Sequence, residues 1–294
     1  MYSTITLTSS NLSIPRLGYG TGSKWRNGEM VKSINESLVI AIRQALTLGY
    51  RHLDCAEIYS NEESVGEAIR LQGLSRDKLF ITSKVYNNIE NISKACDDTL
   101  KRLGIDYLDL WLIHSPFFDR NKISLKKAWK DMENLVDNRK VKSIGVSNFQ
   151  IEHLKELFDL KPKIRPIVNQ IELHPYIYKE SKDLLAYCKL NNIIIQTFTP
   201  LASLAHKPNG PVDRIVNDLA KKYGRSPAQI LLKWNLSKGD LTITTSNKRE
   251  HLEDFLKVND ENFQLTDDDI NEIDEAGGKL YYRRCWKQQI DGSQ

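Results

Sequence analysis

Short apolar runs alternate along the chain with longer segments whose apolar residues recur every three or four positions. Eight runs are interpreted as strands: residues 17–20, 50–53, 79–83, 108–113, 140–146, 166–170, 192–198 and 241–244. Runs of this length are typical of parallel strands buried within a sheet. With helical segments between them, they predict an α/β fold, a (β/α)8 TIM barrel.

Helical periodicity is clearest in five of the intervening segments. The predicted helices are residues 34–48, 62–71, 93–103, 124–137 and 226–237. In the first of them an apolar stripe begins at Ile34 and continues through Leu38 and Ile42, which predicts a buried face. The other four begin at or next to residues that favour helix N-caps, namely Asn61, Ser93, Ser124 and Ser226.

Three further elements lie outside this repeat. Residues 5–7 and 12–14, around the polar residues 9–11, predict an N-terminal β-hairpin that caps the barrel floor, and residues 211–223 and 266–275 predict two extra helices. No linker or low-complexity tract interrupts the sequence, so we expect a single domain over residues 1–294. A doubly wound dinucleotide fold is disfavoured, because the third glycine of its Gly-x-Gly-x-x-Gly pattern would come one position early, at Gly22.

Composition narrows the class of protein. The chain has 294 residues and a net charge of +4, which gives no basic footprint for nucleic acid. No apolar run is long enough to cross a membrane, and no signal peptide is evident. Four widely spaced cysteines indicate reduced thiols in a cytoplasmic protein, and the histidines show no metal-ligand spacing. No self-complementary patch is evident, and we expect a monomer.

Polar residues stand at the ends of three of the predicted strands. Asp54, Lys84 and His114 each close an apolar run, and Tyr59 follows Asp54 by five residues. The carboxyl ends of barrel strands converge on one mouth, where active sites are built. A carboxylate, a phenol, an ammonium and an imidazole meeting there predict a site that donates a proton.

These residues give the sequence its family resemblance. Asp54-x-x-x-x-Tyr59, Lys84 and His114 resemble the catalytic residues of the aldo-keto reductases, and the order of elements matches that family to about residue 275. Residues 145–149, 168–175 and 199–201 resemble its cofactor-binding segments. Residues 20–25 and 244–248 resemble those of fungal NADPH-dependent ketoreductases that act on α-keto amides and conjugated polyketones.

The resemblance implies reduction of an aldehyde or ketone to an alcohol, with NADPH as the hydride donor. Tyr59 would be the general acid, although a free phenol has a pKa near ~10. The ammonium of Lys84 would lower that pKa, Asp54 would pair with Lys84, and His114 would orient the carbonyl.

The resemblance also assigns the cofactor contacts. Ser147, Asn148 and Gln170 suit the nicotinamide carboxamide, and Phe198 takes the place of a stacking tyrosine. The remaining assigned contacts are Thr21, Gly22, Asp54, Thr199, Pro200, Leu201, Ser203, Thr245, Ser246, Asn247, Lys248 and His251. Thr245 and His251 replace a lysine and an arginine that bind the 2′-phosphate in many members. Positive charge at residues 248, 249 and 251 still favours NADPH.

Aromatic residues predict the substrate pocket, which we assign to Trp25, Tyr59, His114 and Phe117. Trp111, Phe118 and the tail at residues 281–286 could also line the mouth. Two alternatives share the fold: a cofactor-binding regulatory module, and a sugar reductase of the aldose or xylose type. A regulatory module has no need of the acid, and a sugar reductase should prefer a more polar pocket. A triad hydrolase is excluded, because the sequence has no Gly-x-Ser-x-Gly elbow.

Overall fold

A computed structural model describes residues 3–7, 12–25 and 34–292 of the chain. Its strands are β1 (Thr4–Leu7), β2 (Leu12–Pro15), β3 (Leu17–Gly20), β4 (His52–Asp54), β5 (Phe80–Val85), β6 (Leu110–Ile113), β7 (Ile144–Ser147), β8 (Val168–Glu172), β9 (Ile194–Phe198) and β10 (Leu241–Thr244). The strands β10-β3-β4-β5-β6-β7-β8-β9 form a closed parallel barrel in that order. The predicted TIM barrel is confirmed. Strands β1 and β2 pair antiparallel as the predicted hairpin, whose turn at residues 9–11 lies outside the described residues.

The helices follow the strands in the expected alternation. They are α1 (Glu36–Leu48), α2 (Glu62–Gln72), α3 (Ile92–Leu103), α4 (Leu125–Asp137), α5 (Ile151–Asp159), α6 (Pro175–Leu190), α7 (Ala202–His206), α8 (Pro211–Tyr223), α9 (Pro227–Lys238), α10 (Arg249–Leu256), α11 (Asp267–Gly277) and α12 (Lys287–Asp291). The extra helices predicted at 211–223 and 266–275 are α8 and α11. None of the helices within the described ranges has the length and apolar character needed to cross a membrane.

The described chain divides into two compact units. The first unit consists of the described residues within positions 1–17, 170–244 and 250–294, and the second of those within positions 18–169 and 245–249. The core of the first unit includes Val216, Trp234 and Ile273, from helices α8, α9 and α11. In the second, strands β4 to β7 are buried along their whole length. The single domain remains a prediction.

Helix α11 begins with a capping box that ties it to helix α8. The Thr266 hydroxyl accepts the N–H of Asp269, and the Asp269 carboxylate accepts the N–H of Thr266. The carboxylate also accepts from Lys222 Nζ at 2.6 Å and from the Tyr223 hydroxyl. Burial alone would raise the pKa of Asp269, but these hydrogen bonds outweigh it and lower the pKa to about 2.

Several predicted boundaries were wrong. Ile34 is 44% exposed and precedes helix α1, which begins at Glu36 with Asn35 as its N-cap. Asn91, and not Ser93, caps helix α3 by accepting the N–H of Lys94. Ser124 and Ser226 cap α4 and α9 as predicted. Six predicted strands start too early, at residues 50, 79, 108, 140, 166 and 192, because the connections before β4 to β9 also bury apolar side chains.

Candidate active site

An ion pair lies at the carboxyl ends of two adjacent strands. Asp54 is the last residue of β4, and Lys84 is the last but one of β5. Lys84 Nζ donates to Asp54 Oδ1 at 2.6 Å and to the carbonyl of Cys55 at 2.8 Å, and both charged side chains are buried. Burial would lower the pKa of Lys84, but the Asp54 carboxylate and then the Tyr59 phenol outweigh it, so the pKa lies above its usual value. Lys84 is therefore an ammonium at neutral pH.

Tyr59 lies beside this ammonium. It closes the 3-10 turn Glu57–Tyr59, which follows strand β4, and it is half-buried. Lys84 Nζ lies 5.2 Å from the centroid of the Tyr59 ring. A Cβ atom on Gly22 would come within 2.7 Å of Tyr59 Cζ, so the bare glycine backbone makes room for the phenol. The phenol is thus held between a lysine and a glycine.

His114 completes the group. It directly follows strand β6, and its backbone N–H donates to the carbonyl of Val85 at 3.0 Å. Its ring centroid is 5.9 Å from that of Tyr59, with the planes at 83°. The ring of Tyr86 lies on His114 as well, at 6.1 Å and 77°. The structure therefore brings the four sequence-predicted catalytic residues together within the second unit, and it adds Tyr86, which the sequence reasoning missed.

The end of strand β7 supports His114. Asn148 has φ of 63°, a left-handed conformation that asparagine tolerates better than most residues. Its amide donates to the His114 carbonyl at 2.9 Å and to the Ser147 hydroxyl at 3.0 Å. Two predicted cofactor contacts, Ser147 and Asn148, are thereby linked by hydrogen bonds to the backbone of His114.

The loop after strand β3 is fastened to the same strand ends. The backbone N–H and hydroxyl of Thr21 donate to the Asp54 carbonyl at 2.9 and 3.1 Å. The side-chain amide of Asn61 donates to the carbonyls of Thr21 and Trp25 at 2.7 and 3.0 Å. Asn61 is the N-cap residue of α2 as predicted, but its side chain makes no capping bond. It holds the loop that carries the predicted substrate residue Trp25.

Two residues after strand β10 contact side chains of the strand β3 segment. The Trp25 indole N–H donates to the Thr245 hydroxyl at 3.3 Å, and the Tyr19 hydroxyl donates to the Ser246 carbonyl at 3.0 Å. Burial raises the pKa of Tyr19 to about 12. The Ser246 hydroxyl accepts the N–H of Lys248 at 3.1 Å. Thr245, which the resemblance aligns with a phosphate-binding lysine, thus accepts a hydrogen bond from Trp25.

Among the other predicted cofactor contacts, Asn247 belongs to the second unit, and the first unit contains Gln170, Phe198, Thr199, Pro200, Leu201, Ser203 and His251. Phe198 ends strand β9 half-buried, and Thr199 follows with φ of 56°. The Ser203 hydroxyl is buried and has no hydrogen-bond partner among the described residues. A buried hydroxyl without a partner costs about 1–3 kcal/mol, so it suits a polar ligand that approaches this loop.

A buried carboxylate at the end of strand β8 holds the C-terminal tail. Glu172 accepts the backbone N–H groups of Arg284 and Cys285 at 2.9 and 2.8 Å, and its Oε1 lies 3.1 Å from His174 Nε2. The thiol of Cys285 is half-buried, and burial, with the nearby carboxylate, raises its pKa to about 11. Sequence reasoning did not identify Glu172 as an anchor.

The aromatic residues that were expected near the substrate differ in their positions. Phe117 is half-buried, with its ring centroid 5.5 Å from that of His153. Trp111 lies inside strand β6 and is fully buried, so the suggestion that it lines the mouth was wrong. Within the described ranges no cluster of three or more acidic, histidine or cysteine side chains could hold a metal ion.

Comparisons with known proteins agree with this geometry. Residues 16–277 match the model of the aldo/keto reductase family. The chain is 42% identical to an NAD/NADP-dependent indole-3-acetaldehyde reductase of Schizosaccharomyces pombe, over 95% of this chain and 96% of that protein. It is 37% identical to an NADPH-dependent alpha-keto amide reductase of Saccharomyces cerevisiae, over 92% and 90% of the two chains.

A solved structure gives the same result for the fold. The aldose reductase of Schistosoma japonicum superposes with a TM-score of 0.83 at 31% identity, covering 99% of this chain and 97% of that one. The resemblance inferred from Asp54, Tyr59, Lys84 and His114 is thereby confirmed at the level of the family. The chain belongs to the aldo/keto reductase family.

Proposed function

We propose that the protein reduces aldehydes and ketones to alcohols with NADPH, and that α-keto and dicarbonyl compounds are its preferred substrates. The observation that carries the proposal is the buried Asp54–Lys84 pair next to Tyr59, with His114 packed on the same phenol. The substrate class is supported by the alpha-keto amide reductase of S. cerevisiae, to which the chain is similar over most of its length.

The chain's own residues supply the proton. The Tyr59 hydroxyl donates a proton to the carbonyl oxygen while negative charge develops there. The Lys84 ammonium favours the phenolate that remains and so lowers the pKa of the phenol. Asp54 keeps the ammonium in place, and His114 orients the carbonyl by a hydrogen bond. When bound, NADPH supplies the hydride.

The residues present fit this cofactor. The buried Ser203 hydroxyl offers a polar contact in the segment that resembles the pyrophosphate loop, and Phe198 offers a ring at a strand end. Ser147, Asn148 and Gln170 are assigned to the carboxamide. Thr21, Gly22, Asp54, Thr199, Pro200, Leu201, Thr245, Ser246 and Asn247 complete the proposed contacts.

The 2′-phosphate is assigned to exposed basic side chains near the start of helix α10. Lys248 and Arg249 are adjacent there, and His251 follows within the first turn. Positive charge at a helix N-terminus suits a phosphate, which favours NADPH over NADH. The Thr245 hydroxyl accepts from Trp25 and carries no charge, so we expect weaker discrimination than a lysine there would give. We also propose that the protein is a cytoplasmic monomer, with Trp25, Tyr59, His114 and Phe117 facing the substrate.

The test is oxidation of NADPH, then of NADH, with isatin or ethyl pyruvate as substrate. The natural protein is compared with Tyr59→Phe and with a matched control, Tyr187→Phe, on helix α6. We expect turnover with NADPH in the natural protein and the control, and a loss of at least ~100-fold in Tyr59→Phe. Tight NADPH binding without turnover on any carbonyl would favour the regulatory module. Equal rates with NADH would refute the assignment of Lys248, Arg249 and His251.

A further inference from the structure

A buried carboxylate, Glu57, joins the chain segments that carry Tyr59 and Lys84. Glu57 begins the 3-10 turn that ends at Tyr59, and it is 9% exposed. Its Oε2 accepts the backbone N–H groups of Tyr86 and Asn88 at 2.9 and 3.4 Å. Its Oε1 accepts from the side-chain amide of Asn88. All three donors lie in the segment that directly follows strand β5, and hydrogen bonds to a carboxylate are roughly twice as strong as those between neutral groups.

The end of strand β5 and the segment that follows it also contact His114. Tyr86 donates its backbone N–H to Glu57, and the centroid of its ring lies 6.1 Å from that of the His114 imidazole. Val85, the residue before it, accepts the backbone N–H of His114 at 3.0 Å. Tyr59 follows Glu57 in the same turn, and the centroid of its ring lies 5.9 Å from that of the imidazole. The Glu57 contacts therefore link the chain segments that carry three of the four proposed catalytic side chains.

We propose that Glu57 is a positioning residue for proton transfer. Its carboxylate keeps the Tyr59 turn and the end of strand β5 at a fixed separation, so the Lys84 ammonium and the His114 ring stay aligned with the phenol. Glu57 acts through these side chains and does not itself donate the proton. The inference rests on the catalytic roles proposed above.

The decisive variant is Asn88→Asp, which removes the amide donor and places a second carboxylate against Glu57. Asn88 is exposed, so the fold should tolerate the change. We expect kcat to fall by about tenfold or more, because small misplacements of catalytic groups are costly, while the Kd for NADPH stays unchanged. The basic limb of the kcat–pH profile should move to higher pH, because the ammonium acts less on the phenol. Asn87→Asp adds the same charge at the exposed neighbouring residue and should leave kcat and the profile unchanged.

A donor–acceptor exchange gives the rescue. In Glu57→Gln/Asn88→Asp, the new amide can donate to the new carboxylate, while its oxygen still accepts the two backbone N–H groups. We expect this double variant to recover most of kcat and the natural pH profile. A loss of stability alone would lower kcat without moving the basic limb of the pH profile, so recovery of both identifies a positioning role.

The outcomes separate the two proposals. Activity retained in Tyr59→Phe would overturn the catalytic assignment itself. If Tyr59→Phe is inactive but Asn88→Asp matches Asn87→Asp in kcat and pH profile, the role of Glu57 alone is wrong. Its role is also wrong if Asn88→Asp loses NADPH binding together with kcat, or if the exchange variant does not recover.

Discussion

Replacing Lys84 by methionine removes the ammonium beside the proposed acid and keeps much of the side-chain volume. Lys84 Nζ is buried and lies 5.2 Å from the centroid of the Tyr59 ring. At that separation and an effective dielectric constant of about 20, two unit charges interact by about 3 kcal/mol, equivalent to about 2 pH units in the pKa of the phenol. We therefore expect the basic limb of the kcat–pH profile to rise by about 2 pH units and kcat at neutral pH to fall by about 100-fold.

Stability has to be separated from chemistry in this experiment. Lys84→Met leaves the Asp54 carboxylate buried without its ammonium, which should lower the free energy of unfolding by about 3–5 kcal/mol. Asp54→Asn/Lys84→Met removes that uncompensated charge, so urea denaturation should show partial recovery of stability while activity stays low. If this double variant is stable and its basic limb coincides with that of the natural protein, the reasoning is refuted, because the ammonium would not set the acidity of Tyr59.

Three further predictions concern Gly22, Asp269 and Thr199. Gly22→Ala should lower kcat about tenfold or more because its Cβ would lie 2.7 Å from Tyr59 Cζ, whereas Gly278→Ala, with no atom closer than 3.5 Å, should leave steady-state kinetics unchanged. Asp269→Asn should lower the melting temperature at neutral pH, and the difference should vanish as the pH falls from about 4 to about 2, because the carboxylate stabilises the fold only while ionised. Thr199→Asn should raise the free energy of unfolding by about 1 kcal/mol, because threonine is strained at φ of 56°. Thermal or urea unfolding would measure this gain, and an unchanged free energy would mean that the conformation carries no strain.

The strand-end residues could be predicted from the sequence for a physical reason. A buried parallel strand needs a continuous apolar run, so the first polar residue at its end is conspicuous. Asp54 and His114 were located in this way, and the structure places one at the last position of β4 and the other directly after β6. Lys84 fits less simply, because β5 continues to Val85.

The supports of the site could not be predicted in the same way. Glu57 and Glu172 act through hydrogen bonds between a side chain and distant backbone, and Glu172 is 112 residues from Arg284. Such pairs follow no periodic pattern. Asn61 shows the same difficulty locally, since a residue suited to capping a helix can donate to a neighbouring loop instead. The predicted strand boundaries were wrong where buried apolar side chains continue beyond the residues that pair in the sheet.

Because Glu172 holds the C-terminal tail, the reactivity of the Cys285 thiol should depend on whether the tail is bound. None of the four cysteines forms a disulfide, and Cys285 is the one that is not fully buried. A thiol reagent added to the folded protein should therefore react first at Cys285. Because the pKa of that thiol is raised to about 11 where the tail lies, labelling at neutral pH should be slow until the tail leaves Glu172. The labelling rate would then time the detachment of the tail in the unaltered protein, with no probe introduced.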